Sequence, residues 1–111
     1  MTFKEFDKFQ QELIAEVVKM KDTKGREYAN SASRFANFDR SAAKNGVSRL
    51  VIANIFMTKH LDAIDSYIKN GGQVFSTEPI RGRIVDAITY LTLIAGMIEE
   101  GESKVSCEGK L

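Results

Sequence analysis

The sequence predicts an all-α fold, a small bundle of three main helices and a shorter one, and three observations predict it. Apolar residues recur at helical spacing over three stretches, near 3–21, 48–69 and 78–100. Each stretch is bounded by capping or breaking residues, such as Thr2, Ser48 and Thr77 at the starts and Gly71-Gly72 and Gly101 at the ends. Short connections favour an up-down arrangement.

The first helix is expected to start at a capping box, Thr2 with Glu5, and to run to about Lys21. Phe3, Phe6, Phe9 or Gln10, Leu13, Val17 and Met20 supply its buried stripe, thickened by Ile14 and Val18. The stretch from Lys21 to Asn45 carries few aliphatics but holds Tyr28, Phe35 and Phe38 among Lys24, Arg26, Glu27, Arg34, Asn37 and Arg40. A short helix near 33–44 should end at Asn45-Gly46. Two readings of its aromatics stay open: they close one end of the core, or they stack bases while the basic residues hold phosphates.

Ser48 is the expected cap of the second long helix. Asn54, Thr58, Lys59, Asp62, Asp65, Ser66 and Lys69 share a polar arc, and Ile52, Phe56, Met57, Leu61, Ile64, Tyr67 and Ile68 an apolar one. His60 falls within the apolar arc. Val51 and Ile55 fall within the polar one, as a partner surface or a cover from another segment would require.

The last long helix, TEPIRGRIVDAITYLTLIAGMIEE, is the most informative stretch. Ile80, Ile84, Ile88, Leu91, Ala95 and Ile98 form one apolar stripe, with Leu93, Ile94 and Met97 forming a second in the C-terminal half only. In the N-terminal half Arg83, Asp86 and Tyr90 occupy that second face. An acid, a base and a phenol on an inward face must satisfy one another or line a pocket. An antiparallel crossing over the Gly71–Ser76 connection would bring His60 to them, and a His60–Asp86 pair would raise the histidine pKa. Such a pair serves catalysis, anion binding or a buried polar staple equally well. Gly82 between Arg81 and Arg83, near a helix N-terminus, suits either an anion or an ion pair with Glu78.

Composition sets outer limits. The chain has 111 residues, 43% hydrophobic and 28% charged, with a net charge of +1. One domain over 1–100 is expected, followed by a polar, flexible tail over 101–111. Near-zero charge gives no support to general nucleic-acid coating. One cysteine, Cys107, excludes an intrachain disulfide, and with a single histidine it is expected to exclude the common transition-metal sites. The apolar runs fall short of the roughly 20 residues a membrane span needs. Lys4, Glu5, Asp7 and Lys8 break any leader-like start, so a cytoplasmic protein is expected. A magnesium site would have to use carboxylates: Asp62 and Asp65 are the tight pair, with Glu78 a further donor. A small core with Val51, Ile55 and Val85 on polar arcs predicts a homo-oligomer.

The motifs KGREYA (Lys24–Ala29), RFANF (Arg34–Phe38), KHLDAI (Lys59–Ile64) and EPIRGRIVDAITYLTLI (Glu78–Ile94) resemble a family of small phage and prophage proteins called nucleotide modification associated domain 1. The resemblance covers roughly residues 22–100. It implies a mainly helical protein of the host-cell cytoplasm, linked to nucleotide metabolism or modification. The positions that carry it are Lys24, Gly25, Tyr28, Asn37, Phe38, Lys59, His60, Glu78, Arg83, Asp86 and Tyr90.

Two functions from different classes follow. In a nucleotide-binding protein, serving nucleotide metabolism or trapping a host defence signal, Arg83, Arg81, Lys24 and Lys59 hold phosphates and Tyr28, Phe38 or Tyr90 stacks on the base. In a Mg²⁺-dependent nucleotide pyrophosphohydrolase of the all-helical type, Glu27, Asp62, Asp65, Glu78 or Asp86 holds the metal and His60 is the general base. The carboxylate spacing departs from the Glu-Glu-x-x-Glu element of such enzymes, which ranks the binder first. A structural interaction module is the remaining alternative.

Overall fold

The structure, a computed structural model, describes residues 1–28, 33–72 and 78–107, with side chains described over 1–20, 33–72 and 78–101. Its elements are α1 (Phe3–Tyr28), α2 (Ala36–Asn45), α3 (Arg49–Lys69) and α4 (Ile80–Cys107), with no strand among the described residues. The all-α architecture is the expected one.

Local signals fix most of the boundaries. Thr2 and Glu5 form the reciprocal capping box, the Glu5 amide donating to Thr2 Oγ1 at 3.1 Å and the Thr2 amide to Glu5 Oε1 at 2.7 Å. Ser48 caps α3 by accepting from the Leu50 amide at 3.1 Å. Gly46 ends α2 in the left-handed region at φ 66°, where a side chain would be strained.

Two helices outrun the expected ends. α1 continues past Lys21 to Tyr28, so the polar, aromatic-poor start of the second stretch is helical. α4 passes through Gly101 to Cys107, because one glycine lowers helix propensity by about 1 kcal/mol without forbidding the conformation. At its other end α4 starts at Ile80, with the Pro79 carbonyl accepting from Gly82 and Arg83. Thr77, the expected cap, lies outside the described residues.

α3 and α4 run antiparallel: His60 meets Arg83 and Asp86, Phe56 meets Tyr90, and Arg49 meets Met97 and Glu100. α1 packs on α4 through Arg81, which pairs with Glu16 at 2.9 Å and lies over the Phe9 ring. Val85, one turn further along that side, is fully buried there rather than on the polar arc expected for it. α2 covers one side of the α3–α4 pair, with Phe38 against Phe56 and Tyr90 and Phe35 against Gly96.

The core is thin. Among the described residues eight apolar side chains are buried, three of them alanines, while fourteen large apolar ones are exposed, which leaves the expected stripes partly uncovered. On α1 Val17 is buried, but Phe3, Phe6, Ile14 and Val18 are not. Leu91 and Ile98 of α4, expected inside, are exposed together with Leu50, Leu61 and Ile68 of α3. On the helical wheels these five lie on the side of the α3–α4 pair turned away from α2. No helix among the described residues is long and apolar enough to cross a membrane.

Candidate functional site

The inward half of α4 meets the middle of α3 in a polar cluster built on His60. Packing of α3 on α4 leaves His60 7% exposed, and burial obliges its polar atoms to find partners. Arg83 Nη1 lies 3.3 Å from His60 Nδ1. A guanidinium only donates, so Nδ1 accepts and the proton of the neutral imidazole sits on Nε2. Asp86 Oδ2 is 3.7 Å from the same Nδ1, close enough for charge but too far for a hydrogen bond.

This arrangement corrects the expected direction of the histidine pKa. Burial of the ring pushes it below its ordinary 6.5; the Asp86 carboxylate raises it, and the Arg83 and Lys59 charges oppose that rise. Desolvation and two cations therefore outweigh the acids, and the neutral ring is favoured.

Arg83 is the least well accommodated member. Its side chain is 17% exposed, its Nε stands 3.3 Å from Glu78 Oε2, and that Nε is buried without a hydrogen bond among the described residues. Gly82 borders this contact: a Cβ there would lie 3.4 Å from Glu78 Oε1, in ordinary contact.

An aromatic group continues from the cluster. Tyr90 stacks on His60 with ring centres 5.6 Å apart and planes 25° apart. Phe38 meets Tyr90 edge-on at 6.4 Å, and Phe56 lies 6.3 Å from Tyr90 and 6.4 Å from Phe38. Phe56 is 42% exposed, so the group reaches the surface.

The structure thus brings together His60, Glu78, Arg83, Asp86, Tyr90 and Phe38, with Lys59 exposed beside them. Asn37 is half-buried on α2, its Oδ1 accepting from Arg40. Arg81 goes elsewhere: two residues from Arg83 means roughly 200° around the helix, and it is spent on α1. Asp62 and Asp65 stay on the exposed arc, where Asp65 pairs with Lys69 at 2.9 Å. The group of potential metal donors found among the described residues is instead His60, Glu78 and Asp86. Lys24, Glu27 and Tyr28 lie on the last turns of α1, and their side chains fall outside the described residues.

Phe56 was missed as a site residue. Its apolar-arc position marked it as core, and only the neighbouring Tyr90 and Phe38 reveal it as the exposed end of an aromatic group. No family model, curated protein or solved structure matches the chain. The resemblance to the nucleotide modification family rests on the motifs alone.

Proposed function

We propose that the chain is a nucleotide-binding protein, acting in phage-related nucleotide metabolism or holding a nucleotide signal of host defence in the host cytoplasm. The observation that carries this reading is the continuity of two surfaces. The exposed edge of the Phe38–Phe56–Tyr90 group offers faces for a base, and it joins directly to the Arg83 cluster through the His60–Tyr90 stack. Base stacking on such rings is worth about 1–3 kcal/mol per base. Among the described residues Arg83 and Lys59 are the cations whose charge acts on His60 in that stack, and an incompletely hydrogen-bonded guanidinium gains more from a phosphate than a fully paired one does.

The charge balance refines the picture. Among the described residues, with His60 neutral, Glu78, Asp86 and Arg83 sum to one negative charge, which Lys59 offsets. A bare phosphate gains little there, so a nucleotide carrying a divalent cation is the better-matched ligand. The second reading, a Mg²⁺-dependent nucleotide pyrophosphohydrolase, is favoured by one observation, the grouping of His60, Glu78 and Asp86. Self-association is supported by the exposed side of α3 and α4 formed by Leu50, Leu61, Ile68, Leu91 and Ile98, since soluble monomers rarely leave large contiguous apolar patches uncovered.

The test is a thermal-shift panel of mono-, di-, tri- and cyclic nucleotides with and without Mg²⁺, followed by chromatography of any stabilising compound. A shift with the nucleotide recovered intact is the expected result. Mg²⁺-dependent cleavage would favour the hydrolase, and no shift with any nucleotide would leave the interaction module.

A further inference from the structure

Three donor atoms of two chemical kinds converge beside Arg83. His60 offers a ring nitrogen, and Glu78 and Asp86 one carboxylate oxygen each, all within 4.8 Å of one another. They come from separate places in the chain: the middle of α3, the second turn of α4 and the residues just before α4. The Nδ1 lone pair of His60 is directed at Arg83, and Asp86 Oδ2 stands 3.7 Å from the same nitrogen. Two acceptors this close repel unless a positive charge lies between or beside them. Among the described residues that charge is the Arg83 guanidinium, a broad planar cation whose Nη1 reaches His60 Nδ1. Its Nε makes no hydrogen bond among the described residues although a Glu78 oxygen is 3.3 Å away.

We propose that His60 Nδ1, Glu78 and Asp86 form a binding site for a first-row divalent cation, which enters by displacing the Arg83 guanidinium. Donors held about 2.0–2.2 Å from one ion stand roughly 3–4.3 Å apart, so the cluster needs to contract by only about an ångström. One imidazole nitrogen with two carboxylate oxygens suits Mn²⁺, Fe²⁺ or Zn²⁺ better than Mg²⁺ or Ca²⁺, which prefer oxygen alone. Three protein donors leave coordination positions for water or a phosphate oxygen. The displaced Arg83 remains close enough to pair with an anion bound there. The site goes beyond the nucleotide reading and stands without it, because the metal is bound by the chain's own donors.

The test uses the full chain and metal alone, with no nucleotide present. Mn²⁺ binding is followed by the loss of the free-ion signal in electron paramagnetic resonance, and Co²⁺ binding by its visible absorption. A Cys107→Ser background removes the one thiol. The expected result is one ion per chain, not displaced by an equal concentration of Mg²⁺. Asp86→Asn and His60→Gln should weaken binding at least tenfold, and Arg83→Gln should tighten it several-fold by removing the competing cation. Glu78→Gln is the variant least exposed to folding failure, since the Glu78 side chain is 37% exposed, and it too should weaken binding. Absence of saturable binding in both the parent chain and Arg83→Gln would overturn the proposal. So would unchanged binding in Glu78→Gln together with a folded Asp86→Asn or His60→Gln.

Discussion

Two arginines sit at opposite ends of the same α3–α4 seam, equally buried and very differently satisfied. Arg49 is 18% exposed and Arg83 17%. Arg49 Nη2 lies 2.8 Å from Glu100 and donates to the Met97 carbonyl at 3.4 Å, Nη1 reaches Asp39 at 3.4 Å, and the guanidinium lies 5.0 Å from the Phe35 ring centre. Every one of those contacts ties α2, α3 and α4 together. Arg83 faces a neutral imidazole and a carboxylate that its buried Nε does not bond. Burial alone therefore does not fix how fully an arginine is hydrogen-bonded, and on the proposed reading the incompletely bonded Arg83 is the one that meets the ligand.

The two ends should respond differently to the same substitution. Arg49→Gln removes a tie between three helices and should cost about 1–3 kcal/mol in denaturant unfolding. Arg83→Gln should cost less, on the order of 1 kcal/mol, because His60 can take up a proton and replace the lost charge beside Asp86. A histidine pKa that rises in Arg83→Gln, read by NMR titration, would confirm that substitution of one cation for another. Equal destabilisation with an unmoved histidine would erase the contrast.

Acidity separates the two ends next. The folded-state pKa of His60 lies below its ordinary 6.5 because its burial favours the neutral ring. The unfolded chain therefore binds the proton more readily. The stabilising contribution is fully present above about pH 6.5 and is lost as pH falls from there through the lower folded-state value. Unfolding curves between pH 7.5 and 5 should show this loss in the parent chain and its absence in His60→Asn. Arg49→Gln should keep the parent's pH dependence.

The smallest expected effects come from two glycines of α4. A Cβ at Gly96 would stand 3.1 Å from Phe35 Cζ, so Gly96→Ala must push the ring that covers Arg49 and should gain nothing in stability. At Gly82 the same addition makes only ordinary contact with the carboxylate end of Glu78, and Gly82→Ala should stabilise by up to about 1 kcal/mol. A thermal denaturation comparison that reverses the order would show that Gly82 carries a packing constraint within the chain itself.

Much of this was legible in the sequence, for reasons that can be named. Helical spacing and capping residues fixed the four helices, and the wheel placed His60, Arg83, Asp86 and Tyr90 on inward faces whose antiparallel crossing brought them together. The sign of the histidine shift was not legible, since it depends on how burial and two cations balance one acid at specific distances. Arg49 carried no signal in the sequence, because its partners Glu100, Asp39 and the Met97 carbonyl are distant along the chain. Leu91 and Ile98 matched a buried stripe by period, yet period cannot say whether the covering surface belongs to the same chain. Arg81 looked equivalent to Arg83 in the sequence and is separated from it by the turn of the helix.

The most direct measurement is the nucleotide-induced thermal shift of the parent chain, Arg49→Gln and Arg83→Gln, recorded side by side in the presence of Mn²⁺. The account predicts that Arg49→Gln starts at a lower Tm but keeps the parent's shift, and that Arg83→Gln starts nearer the parent and loses the shift. A shift retained in Arg83→Gln, or lost in a folded Arg49→Gln, would contradict the assignment of the Arg83 end of the seam as the binding site.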